Sequence, residues 1–114
     1  MIDGIGIDVV DIERFLQSLE RTPELRKRLF TERELTVSPT SLAARFAAKE
    51  ALYKALGTSQ GLSWHDAEVF NESSGKPNFL FFGQIADLVS GAQVHLSISH
   101  DAGIASAMVI VERE

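Results

Sequence analysis

The sequence predicts an α+β fold in which a mostly antiparallel sheet packs against one long, alanine-rich helix. Three observations carry that expectation. Helical patterning with clear start and stop signals runs from Ser38 to Gly57, an apolar run rich in β-branched residues opens the chain at Gly4, and after Gly57 the apolar period changes from 3.6 to 2. With 114 residues the chain is near the common size of one domain, so a single domain over residues 1–114 with a modest core is expected.

The opening run, Gly4-Ile5-Gly6-Ile7-Asp8-Val9-Val10, reads as a strand interrupted by a carboxylate. Aspartate is disfavoured in strands and costly if buried unpaired, so Asp8 calls for a metal, a cationic partner or a strand end. Gly4 and Gly6 do not start a dinucleotide fingerprint, because Val9 stands where its third glycine belongs. They suit close approach of a backbone or ligand, or a bulge. A first helix is predicted from near Asp11, burying Ile12, Phe15, Leu16 and Leu19 and turning Glu13, Arg14, Gln17 and Arg21 outward. Thr22-Pro23 stops it, a short helix follows from Pro23 to Phe30, and Thr31 with Glu34 has the spacing of a capping box.

The long helix has Ser38 as N-cap, Pro39 at its first position and Gly57 past its end. Ala44, Ala48, Ala51 and Ala55 form a small back face that suits very close packing on another element. At ~100° per residue, Glu50 and Lys54 share one stripe with Ala43 and Phe46, while Arg45 and Lys49 share another beside Leu52 and Leu56. Four charges on an alanine rod suit a site better than a core. The plain alternative is an exposed Glu50–Lys54 pair worth ~0.3 kcal/mol.

Beyond Gly57, Ala67 to Asn71 and Asn78 to Phe82 read as strands joined through Ser73-Ser74-Gly75-Lys76-Pro77. Gly75-Lys76 is no phosphate-binding Walker loop, since Phe70 replaces the earlier glycine. A short helix near Gln84 to Val89 precedes strands Val94 to Ser99 and Ile104 to Val111. Val94, Leu96 and Ile98 alternate with His95, Ser97 and Ser99 on the opposite face. His100 falls at the strand end before Asp101. Ser97, Ser99 and His100 lack the nucleophile elbow of a hydrolase.

Composition narrows the function classes. The absence of cysteine excludes disulfides, thiolate metal sites and cysteine nucleophiles. A net charge of −5 argues against general nucleic-acid binding, and no apolar stretch approaches the ~20 residues of a membrane span. Met1 leads straight into the Asp8 strand, so no secretory leader and a cytoplasmic location are expected. From Arg14 to Arg33 six basic side chains face three acidic ones, a basic patch on an acidic protein that suits an acidic macromolecular partner.

Asp8 in its Gly-Ile-Asp-x-Val-x-Ile-x-Arg context, the block Arg45-Phe46-Ala47-Ala48-Lys49-Glu50-Ala51 with Lys54 beyond, and Ser97-Ile98-Ser99-His100-Asp101 together resemble holo-acyl carrier protein synthase, the small bacterial class of phosphopantetheinyl transferase. The likeness runs in order from Met1 to about Val111, and Trp64 to Glu68, read as a strand, and the Gly75-Lys76-Pro77 turn also fit it. It implies transfer of 4'-phosphopantetheine from coenzyme A to a serine of an apo acyl carrier protein. The nucleophile then belongs to the partner, so this chain needs no activated serine or cysteine.

The resemblance further implies that Asp8 and Glu50 hold one magnesium ion (Mg2+), completed by water and pyrophosphate oxygens, and that Asp8, Glu50 and Lys54 are the catalytic set. Either Glu50 or a metal-held water takes the serine proton. Lys54, Arg45, Lys49 and His100 are implied contacts of the coenzyme, and Arg14 and Arg21, followed by Arg26 and Arg28, of the carrier. It also implies a homotrimer with sites between protomers. A non-catalytic coenzyme or carrier-binding module, a metal-dependent phosphate hydrolase and a purely structural protein are the alternative classes.

Overall fold

The computed structural model describes residues 1–58 and 61–114. The chain runs β1 (Ile2–Asp11), α1 (Ile12–Arg21), α2 (Leu25–Leu29), α3 (Pro39–Leu56), β2 (Ala67–Asn71), β3 (Pro77–Phe81), α4 (Gly83–Leu88), β4 (Gln93–Asp101) and β5 (Ile104–Glu112), with 3-10 turns at Glu34–Thr36 and Trp64–Asp66. The strands form two antiparallel groups: a three-stranded sheet ordered β1-β5-β4 and a separate β2-β3 hairpin. The predicted fold class holds, with the sheet divided in two.

Local signals set the element ends. Asp11 caps α1 by accepting from the Arg14 amide, and Ser38 caps α3 by accepting from the Ser41 amide. Gly57 closes α3 at φ +78, a left-handed conformation that suits glycine. Thr31 and Glu34 do form the reciprocal box: the Thr31 amide donates to Glu34 Oε1 at 3.0 Å, and the Glu34 amide to Thr31 Oγ1 at 3.3 Å. The segment read as a strand from Trp64 begins only at Ala67, because Ser63 accepts from the His65 amide and closes a 3-10 turn first.

Gly4 and Gly6 are what let α3 lie on the sheet. A Cβ on Gly6 would stand 1.8 Å from the Ala51 carbonyl oxygen, and one on Gly4 1.9 Å from that of Ala55. Only glycine tolerates such approach, and alanine is the counterpart on the helix, where Ala47, Ala48 and Ala51 have no exposed surface. The register irregularity of β1 lies between Ile2 and Gly4. Around this contact, Phe15 stacks on Phe46 (4.8 Å between ring centres), and Trp64 packs against both Phe46 and Tyr53, joining α1, α3 and the turn before β2.

The opposite face of the sheet is bare. Ile5, Ile7 and Val9 of β1 are 54–60 % exposed, and the register sets Ile5 beside Ile110 and Ile7 beside Met108. Among the described residues no helix is long and apolar enough to cross a membrane.

Candidate active site

Strand alternation turns Asp8 to the same sheet face as Gly4, Gly6 and Val10, the face that α3 covers. Lys54, one helical turn past Glu50, donates from Nζ to Asp8 Oδ1 at 3.1 Å and to the Ile7 carbonyl at 2.9 Å. Asp8 and Glu50 line one cleft of about 320 Å3 together with Arg14, Phe15, Ser18 and Phe46. Burial pushes the Glu50 carboxyl above its usual range and the Asp8 charge adds to this, while Lys54 opposes it. The helix and strand thus hold two carboxylates against one lysine.

The donor chemistry of this cleft fits a hard divalent cation. Both candidate ligands are carboxylates, set on one cleft with a single lysine bridged to Asp8. Among the described residues no three or more His, Cys, Asp or Glu side chains come together as a metal cage. A cation held by two protein carboxylates and completed by water and substrate oxygens is the arrangement magnesium favours.

Arg45 and His100 line a different cavity, of about 210 Å3, with Ser41, Asn71, Gly75 and Pro77 among its walls. Arg45 is 8 % exposed. Its Nη2 donates to Asn71 Oδ1 at 3.0 Å, and Asn71 Nδ2 donates to the Gly75 carbonyl at 2.9 Å. Burial lowers the Arg45 pKa, while Glu34 and Glu68 oppose that shift. His100 is exposed near the end of β4, next to the Ala102-Gly103 turn, whose two residues have φ +52 and +79. This groove shares no lining residue with the Asp8–Glu50 cleft, so one copy of the chain does not bring the whole predicted set together.

Lys49 requires a correction. The expected coenzyme contact has no exposed side-chain surface, and its Nζ donates to Glu34 Oε1 at 2.7 Å, to the Leu29 carbonyl at 2.8 Å and to the Trp64 carbonyl at 2.9 Å. All three protons are engaged inside the protein, leaving none for a coenzyme phosphate. Glu34, read from sequence only as a capping residue, is equally buried and also accepts the Val69 amide at 2.8 Å. Nearby, Glu68 accepts from Thr31 Oγ1 at 2.6 Å and pairs with Arg33 at 3.0 Å. The Arg45–Lys49 stripe is therefore one side of an internal polar network.

Arg14 and Arg21 are exposed on α1, as are Arg26, Lys27 and Arg28 on α2. Arg14 alone among these borders the carboxylate cleft. Asn71 stood in the sequence only as a strand-end residue and as the head of a chance Asn71-Glu72-Ser73 glycosylation pattern, not as a site residue.

A profile of the 4'-phosphopantetheinyl transferase superfamily matches residues 4–107. The holo-[acyl-carrier-protein] synthase of Leifsonia xyli subsp. xyli is 55 % identical over 117 residues, covering 100 % of this chain and 99 % of that protein. Among solved structures, the holo-[acyl-carrier-protein] synthase of Neisseria meningitidis is 31 % identical with a TM-score of 0.89, covering 99 % of this chain and 100 % of that one. The Bacillus anthracis holo-(acyl-carrier-protein) synthase, solved in complex with CoA (3',5'-ADP), is 36 % identical with a TM-score of 0.83, covering 100 % and 99 %.

Proposed function

The chain belongs to the 4'-phosphopantetheinyl transferase superfamily, and from that premise we propose how its residues serve the transfer. It is a holo-acyl carrier protein synthase in activity: it moves 4'-phosphopantetheine from coenzyme A to a serine of apo acyl carrier protein, leaving holo-carrier and adenosine 3',5'-bisphosphate. The serine oxygen forms a bond to the phosphorus that carries pantetheine, and the bond from that phosphorus to the bridging pyrophosphate oxygen breaks. The observation that carries the residue assignment is the single cleft holding Asp8, Glu50 and Arg14, with Lys54 bridged to Asp8 at its edge.

Asp8 and Glu50 hold magnesium in this reading. When bound, the ion neutralises pyrophosphate charge and polarises the phosphorus under attack. Glu50, or a water held beside it, would take the proton of the serine. Lys54 has an exposed stem and can turn its ammonium toward the leaving phosphate oxygen, where loss of one such donor costs ~10²-fold or more in rate. Arg45 and His100 bind the coenzyme from their own groove, and Arg14 and Arg21 steer the acidic carrier onto α1.

Separation of the two clefts supports a reaction centre shared between copies. The bare face carrying Ile5, Ile7, Val9 and Met108 is apolar enough to be covered by another copy, and the trimer expected from the family would do so. One copy's Arg45–His100 groove would then complete another's carboxylate cleft. A cytoplasmic location goes with this reading.

Release of adenosine 3',5'-bisphosphate, followed by chromatography, tests the assignment. It should require apo-carrier and magnesium, and fall at least ~10²-fold in Asp8→Ala and Glu50→Ala. Release without carrier would point instead to a phosphate hydrolase, and full activity of both variants would remove the carboxylates from the site.

A further inference from the structure

We infer that Asn71 is a positioning residue for coenzyme binding, holding the Arg45 guanidinium and the β2–β3 turn in one fixed arrangement. This rests on the reading that Arg45 faces the coenzyme. The orientation of the Asn71 amide follows from its partners: arginine has no acceptor and a carbonyl has no donor, so the oxygen must face Arg45 Nη2 and the nitrogen must face Gly75. Both ends of the amide are therefore committed, at 3.0 and 2.9 Å.

Among the described residues Asn71 is the one hydrogen-bond partner of Arg45. That bond uses one of the five guanidinium N–H groups, and Arg45 lines a groove with Asn71, Gly75 and His100. Burial disfavours the charged guanidinium, and Glu34 and Glu68 oppose that effect without hydrogen-bonding it. An arginine whose stem is buried and whose head is fixed by a neutral acceptor keeps its full charge for an anionic ligand. A carboxylate in the same place would pair with that charge and compete with the ligand for it. Asn71 thus supplies orientation without neutralisation, and its second bond sets the turn that forms the opposite wall.

The test is a double-mutant cycle read in the steady-state constants for coenzyme A, with Asn71→Ala, Arg45→Ala, both together and Asn71→Asp, each checked for an unchanged melting temperature. Asn71→Ala is expected to raise KM for coenzyme A about five- to ten-fold with little change in kcat. The double variant should be no worse than Arg45→Ala alone, because Asn71 acts through Arg45. Asn71→Asp should exceed Asn71→Ala, since it also neutralises the guanidinium. If Arg45→Ala raises KM while Asn71→Ala does not, or if the two effects multiply, the inference is overturned with the reading of Arg45 intact. If Arg45→Ala leaves KM unchanged, the reading of Arg45 itself fails.

Discussion

Replacing Lys49 by methionine keeps most of the apolar stem and removes the charged end, leaving Glu34 buried with only the Thr31 and Val69 amides as partners. The Leu29 and Trp64 carbonyls lose their donor as well. Breaking a buried ion pair from one side costs about 3–5 kcal/mol, against a total of about 5–15 kcal/mol for a domain. At about 4 °C per kcal/mol for a chain of this size, the melting temperature should fall by roughly 12–20 °C. A thermal melt followed by circular dichroism would measure the midpoint and urea denaturation the free energy, with Glu34→Gln and the double variant closing a cycle whose coupling should exceed about 1 kcal/mol. At a temperature where Lys49→Met is still folded, its KM for coenzyme A should stay within about twofold of the parent. A loss under about 1 kcal/mol, additive effects, or a large rise in KM would refute the internal role and return Lys49 to the ligand.

Gly6→Ala places a methyl against the Ala51 carbonyl and the Ala55 amide, both backbone, so relief requires moving α3 off β1. Denaturation should show a loss of about 3 kcal/mol or more, with reduced turnover of the folded fraction because Asp8 and Glu50 ride on the two displaced elements; a loss below about 1 kcal/mol would contradict the packing. Glu50 gives a pH dependence. Its raised carboxyl pKa means the folded chain holds the proton more tightly than the unfolded one, so its contribution is full below the unfolded value of about 4.3 and is lost as pH rises through the raised value. Without divalent metal, Glu50→Gln should therefore gain stability over the parent across that window, by under about 1 kcal/mol in so solvated a cleft, and a gap that does not change with pH would contradict the shift. The buried Tyr53 hydroxyl has no partner among the described residues, and its pKa is pushed up to about 12, chiefly by burial. Tyr53→Phe should be neutral or stabilising by up to about 1 kcal/mol in the same melts; a clear loss would mean the hydroxyl has a partner.

Elements governed by local chemistry were legible in the chain. Asp11, Ser38 and Gly57 mark helix ends that any neighbour must respect, and alternation from Val94 to Ser99 assigns both faces of β4. Residue physics marked Asp8 in its strand and the charges on the alanine helix as hard to explain, and it was the family resemblance of their motifs that grouped Asp8, Glu50 and Lys54. What escaped depended on partners distant in sequence. The helical spacing that placed Lys49 beside Arg45 says nothing of Glu34, fifteen residues earlier, folding beneath α3 to meet it. The same limit hid the bond between Arg45 and Asn71, which are 26 positions apart. That a single helical layer leaves a sheet face uncovered was legible, but that the face is the one carrying Ile5, Ile7 and Val9 came only with the sheet order, in which no described element covers it.

The most direct test of the account is the intact mass of an apo acyl carrier protein after incubation with the chain, coenzyme A and magnesium, beside a chelator control and a Glu50→Ala control. The account predicts one phosphopantetheine added to the carrier serine and lost in both controls. An unmodified carrier despite measurable coenzyme A binding, or modification that persists without magnesium and without Glu50, would contradict it.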